Sequence, residues 1–178
     1  MNLQAGKIKP FSLVALLLLL VSVSTASLRA EQLELPFPET PELDMTPGTL
    51  CIHPDSYRYP EKIPYCNRDV DSSTKYDIID AYDRQYGYKI RASGRSSFKI
   101  DHFIPLCMGG SNEVSNLWPQ HRSVYDLTDP LEPELCNRMA SGRMNQVEAI
   151  AIIRRAKADP KLAPGIYDEL VGNGRGRH

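Results

Sequence analysis

Apolar and polar positions along the chain change their period several times, and each change marks an element. Lys7 and Lys9 precede an apolar run from Phe11 to Val23, broken only by Ser12 and Ser22, and Ser24-Thr25-Ala26 follows. A charged start, a short apolar stretch and a small-residue exit predict a secretory signal peptide over residues 1–26. The run is shorter than the ~20 apolar residues of a spanning helix. Cleavage after Ala26 suits the small Ser24 two positions before it; Ala30 comes second, behind the bulkier Leu28. Pro36, Pro38, Pro41 and Pro47 interrupt helix and strand alike and predict an extended Pro-rich linker over 27–48.

From there the pattern predicts one domain over 49–171. Cys51 to Cys66 reads as loop, with Pro54, Pro60 and Pro64. Tyr76, Ile79, Tyr82 and Tyr86 share one face of a helix over 74–86, opened by Thr74 with Asp77 and ended by Gly87. The stretch 88–106 alternates as strands do, with Phe98, Ile100 and His102 on one side and Lys99 and Asp101 on the other. Gly109 to Asn112 is a turn signal, and Leu117-Trp118 a short strand ended by Pro119. Helical spacing returns over 130–140 and 144–158. In the second of these, Met144, Val147, Ile150 and Ile153 form the apolar face, and Arg154, Arg155 and Lys157 sit near the C-terminal dipole. A last short helix is predicted over 164–171 and a frayed tail over 172–178. Strands and helices that do not alternate regularly make the fold class α+β.

The chain has 178 residues and a formal charge of −1. Losing residues 1–26 removes Lys7 and Lys9 and no acid, which leaves −3. Net charge therefore does not draw this protein to nucleic acid; any such binding has to come from a local patch. Export changes how the cysteines read. Cys51, Cys66, Cys107 and Cys136 form an even set in an oxidising compartment, where disulfides persist. Three pairings are open, and proximity along the chain favours Cys51–Cys66 and Cys107–Cys136. No C-x-x-C pair recommends a structural zinc site, and a catalytic role for the Cys107 thiol ranks behind a disulfide.

Chemistry concentrates in residues 99–121. A carboxylate and an imidazole, Asp101 and His102, are adjacent at the end of a strand; a glycine turn leads to Asn116, and a second imidazole follows at His121. An acid, an imidazole and a further donor around one point suit a divalent cation and leave one imidazole as a base. Lys89, Arg91, Arg95 and Lys99 lead into this segment and Arg122 follows it, a run of cations suited to phosphates.

Residues 101–120, DHFIPLCMGGSNEVSNLWPQ, resemble the HNH endonuclease motif in the version Asp-His, Pro-Leu, Gly-Gly, Asn, then Asn-Leu-Trp-Pro, with most likeness to exported bacterial HNH proteins. A weaker resemblance runs from Pro47 to Lys157. It implies a small ββα-metal core, here over 98–130, embedded in helices behind a loop-rich, disulfide-stapled N-terminal segment. It further implies His102 as general base, Asp101 as first metal ligand, and Asn116 as the residue that holds the ribbon and orients the base. Gly109 and Gly110 would make the turn, and Trp118 would pack beneath. Where the family places a His or Asn ligand on the helix, this chain has Tyr125; His121 is the favoured replacement, with Asp126 as the alternative. The resemblance thus implies an exported, periplasmic or secreted endonuclease of low sequence specificity. It would use one divalent ion, Mg²⁺ or Mn²⁺ ahead of Zn²⁺ or Ni²⁺, on DNA ahead of RNA, with no stable membrane insertion after the leader is cleaved. The rival is a catalytically silent, metal-ordered binding or structural module on the same scaffold.

Overall fold

The computed structural model describes residues 36–175. The expected signal peptide, linker residues 27–35 and tail residues 176–178 lie outside the described residues. The rest is α+β, as expected, with two small two-stranded sheets among helices. Among the described residues no helix is long and apolar enough to cross a membrane.

Residues 36–48 of the Pro-rich segment dock on the domain. Thr46 is fully buried, and its hydroxyl bonds the Tyr82 hydroxyl at 2.8 Å and donates to the Leu117 carbonyl at 3.0 Å. Met45 packs against the core, and the Phe37 ring stacks on His121 at 4.0 Å. Proline blocks regular structure there, yet it does not prevent side chains from docking. The folded part therefore begins well before Thr49.

Strands β1 (Ser56–Arg58) and β2 (Ile63–Tyr65) form a small antiparallel ribbon within the stretch expected to be loop. The Cys51–Cys66 disulfide closes that stretch, with Cα atoms 5.8 Å apart. Helix α1 (Ser72–Tyr86) starts two residues earlier than its apolar pattern suggests, because Asp71 is the N-cap and accepts from the Thr74 amide at 2.6 Å. Gly87 ends it in the left-handed conformation. Ile78, Ile79 and Tyr82 are buried, while Tyr76 is half exposed.

The alternation over 88–97 does not make a strand. Asp83, on α1, accepts from the amides of Ile90 and Arg91, and this nucleates the short helix α2 (Ile90–Ser93) and a following turn. Strand β3 (Phe98–His102) then pairs antiparallel with β4 (Leu117–His121) in the register Phe98↔His121, Asp101↔Trp118, His102↔Leu117. Pro119 does not end β4; in a two-stranded ribbon each strand keeps an open edge, where a missing N–H is tolerated.

Helices α3 (Arg122–Thr128), α4 (Leu131–Ala140), α5 (Gln146–Ala158) and α6 (Ala163–Arg175) complete the chain. Asn145 and Glu148 form a reciprocal capping box at the start of α5. Its buried stripe is Ala149, Ile153 and Ala156, so the face is rotated from the expected one and Val147 is exposed. Helix α6 runs to Arg175, past the predicted start of the tail. The Cys107–Cys136 disulfide ties α4 to the loop after β3. Both bridges are the pairings that chain proximity favoured. The apolar interior has one part under α4, α5 and α6 and another between α1 and the β3–β4 ribbon, and the Asp101–His102 pair ends the ribbon beside both.

Candidate active site

Neighbouring residues on a strand point to opposite faces, so Asp101 and His102 look into different surroundings. On the Asp101 side three carboxylates converge: Asp101, Asp129 after α3, and Glu132 in the first turn of α4, with ligand oxygens within 4.8 Å of one another. Two ammonium groups already sit among them. Lys157 of α5 is fully buried and donates to Asp101 Oδ2 at 2.7 Å, Glu132 Oε1 at 2.7 Å and the His102 carbonyl at 2.6 Å. Its three N–H groups thus meet three oxygens. Lys99 donates to both oxygens of Asp129 at 2.7 Å and lies 3.5 Å from Asp101 Oδ1.

These contacts set the protonation of the group. Burial alone would raise the Asp101 carboxyl, but the Lys157 ammonium, then that of Lys99, holds it below the usual carboxylate range. Glu132 is pushed up by burial, which Lys157 only partly offsets. Burial works against the charged form of Lys157, yet Asp101 and Glu132 keep it protonated well past the ordinary lysine range.

On the other face, His102 is 3 % exposed. Its Nε2 lies 3.1 Å from Asn112 Oδ1, and its Nδ1 3.4 Å from an Arg68 guanidinium nitrogen. The Asn112 amide nitrogen donates to the Asn67 carbonyl at 2.6 Å, which leaves Oδ1 as the acceptor facing the ring. A guanidinium only donates. The proton therefore sits on Nε2, and the Nδ1 lone pair faces Arg68. Burial lowers the His102 pKa to about 4, so the ring is neutral at pH 7.

Asn116 supports this end of the ribbon rather than touching either cluster. It is fully buried; its Oδ1 accepts from the Ile104 amide at 2.9 Å, and its Nδ2 donates to the carbonyls of Ile104 at 2.9 Å and Ser111 at 2.8 Å. The turn it braces needs Gly110 for space: a Cβ there would stand 1.8 Å from the Ile104 carbonyl oxygen. Asn116→Ala leaves those backbone groups buried and unpaired, at about 1–3 kcal/mol each. Chemical denaturation should show a loss of at least that size, and a variant as stable as wild type would remove Asn116 from this role.

The structure keeps Lys99 next to Asp101 but does not bring the expected second ligand there. His121 lies opposite Phe98, three register positions from the Asp101–Trp118 pair. Its Nδ1 instead caps α3, accepting from the Ser123 amide at 3.3 Å. Asp126 is exposed; Asp129 and Glu132 are the helix-side carboxylates at the site. Of the expected phosphate ligands, Lys89 is exposed near α2, Arg91 pairs with Asp80, and Arg122 donates to the Tyr125 hydroxyl at 3.3 Å. The Arg95 side chain lies outside the described residues.

Several site residues had no local signal. Arg68 sits in an irregular segment, and Asn112 read only as part of a turn. Lys157 did carry one: it follows Ala149 and Ile153 at helical spacing and so lies on the buried stripe. No family model matches this chain, and neither a curated protein nor a solved structure matches it.

Proposed function

We propose that this chain is an exported nuclease of the HNH type, hydrolysing phosphodiester bonds of DNA ahead of RNA. The observation that carries the reading is the buried, neutral His102, whose Nδ1 lone pair faces a guanidinium. Arg68 meets a nonbridging phosphate oxygen; that contact draws it from His102 and frees Nδ1 to take a proton from water. The water oxygen bonds to phosphorus, the P–O3′ bond breaks, and the leaving oxygen takes its proton from solvent. Arg68, Lys75 and Lys99 line a cavity of about 200 Å³ with Ile79, Phe98 and Ile100, and no acid is among its lining residues. This is the local positive patch that an acidic chain needs for a polyanion. Export rests on the leader pattern and on the two disulfides.

The implied divalent ion meets a specific obstacle. An all-oxygen donor set suits Mg²⁺ or Mn²⁺. Yet Asp101 Oδ2 and Glu132 Oε1 are committed to Lys157, and both oxygens of Asp129 to Lys99. With these oxygens held and the Lys99 ammonium 3.5 Å from the other Asp101 oxygen, this arrangement does not fit a divalent ion. The same lysines favour a second reading, a nucleic-acid-binding module without turnover.

Cleavage of plasmid DNA and of single-stranded RNA by wild type and His102→Ala separates the two. Loss of the base should slow cleavage by about 10²–10⁴-fold. Equal rates for both proteins would end the nuclease reading; binding without cleavage by wild type would establish the module.

A further inference from the structure

We propose that the Lys157 ammonium is the resident cation of the Asp101 centre, a covalently tethered replacement for the divalent ion that the motif implies. The inference uses the proposed function only for the expectation of an ion there; the buried lysine stands whether or not the chain cuts nucleic acid.

Four observations carry it. Lys157 is 0 % exposed, and its terminal nitrogen is saturated by Asp101 Oδ2, Glu132 Oε1 and the His102 carbonyl oxygen. A magnesium ion would draw its oxygen ligands in to about 2.0–2.1 Å. The two carboxylate oxygens that meet at Lys157 Nζ cannot also close on such an ion unless the ammonium leaves. Leaving is blocked, because the lysine rises from the buried stripe of α5, next to Ala156 and one turn after Ile153. Finally, charge is nearly closed without an ion, since Lys99 bridges Asp129 and Asp101 from the more open side. A dication added there would face two ammonium groups across a few ångströms of buried protein, where repulsion is screened weakly.

An ion coordinated by a fold confers stability that a chelator removes, whereas a lysine does the same work at any metal concentration. Its geometry is also fixed before substrate arrives. In the proposed hydrolysis, positive charge toward the phosphoryl oxygens then comes from Arg68 and Lys99.

The test compares melting temperatures of wild type, Lys157→Ala and Lys157→Met in EDTA, Mg²⁺ and Mn²⁺, with calorimetric titration of Mn²⁺ into wild type. Wild type should melt at one temperature in all three solutions and bind no stoichiometric Mn²⁺. K157A should melt lower in EDTA and recover several degrees in Mn²⁺, because the ion enters the space the ammonium vacates. K157M fills that space with an apolar chain and should show the loss without recovery. If K157A does not fold, the wild-type titration still decides. One Mn²⁺ bound per wild-type chain, with a raised melting temperature and both effects abolished by Asp101→Asn, would overturn the proposal. Since no arm reads cleavage, failure of the nuclease reading leaves this result intact.

Discussion

Lys157→Met should cost about 3–5 kcal/mol of stability, the scale for breaking a buried ion pair by removing one partner. The methionine roughly conserves volume, so little of that loss comes from a cavity. It comes from Asp101 and Glu132, both left as carboxyl groups in a site built around an ammonium. The His102 carbonyl loses its donor as well. The cycle is completed by K157M with Asp101→Asn and Glu132→Gln. Neutralising Lys157 together with both of its carboxylate partners should recover most of the loss, because replacing every member of a buried ion cluster is often neutral; the Lys99–Asp129 pair stays intact. Urea denaturation of the three proteins reads this directly. A single variant within 1 kcal/mol of wild type (about a fivefold change in the folding constant) would show that the lysine is replaceable, and its burial incidental.

Acid should destabilise this protein through His102 by about 3 kcal/mol between pH 6.5 and 4, because each tenfold difference in proton affinity is worth about 1.36 kcal/mol. The unfolded imidazole takes up a proton below about pH 6.5, whereas the buried one does so only near pH 4. Between those values the unfolded state binds more protons, so stability is fully present at pH 7 and is lost as pH falls. Asp101, held low, adds to the loss at still lower pH; Glu132, held above its ordinary value, gains its proton first in the folded state and so opposes the loss at higher pH. Comparison with His102→Gln isolates the imidazole, since the glutamine does not titrate. The difference in unfolding free energy between the two proteins should change by about 3 kcal/mol across that window. A difference that stays constant with pH would mean that burial does not hold the ring neutral.

These effects share an origin that also explains how much of the site could be read locally. A strand carrying Asp101 and His102, a glycine turn and a second strand are short-range features, and the β3–β4 ribbon realises all of them. Register is different. The pairing of Phe98 with His121 moves the second imidazole away from Asp101, and no residue type in the segment announces that offset. The aromatic neighbours Phe37 and Phe98 then take the His121 ring, so a predicted ligand becomes a helix cap under a stacked arm. The run of cations before Asp101 suits Lys99 to phosphate, and it does line the cavity beside Arg68. It is also the counterion of Asp129, which a strand-face reading had no means to pair with it.

By itself, the sequence determined what depends on neighbours in the chain: that helices lie near 74–86, 130–140 and 144–158, which cysteines are near enough to join, and that an acid and an imidazole end one strand. Only the tertiary structure decided which charges meet. Lys157 reaches Asp101 across a separation of 56 residues, and Arg68 reaches His102 across 34. Such encounters follow from how α5 packs behind the ribbon and how the segment after Cys66 crosses its end. Packing is set by the sum of many apolar contacts, so no single stretch of residues encodes the partners it brings together.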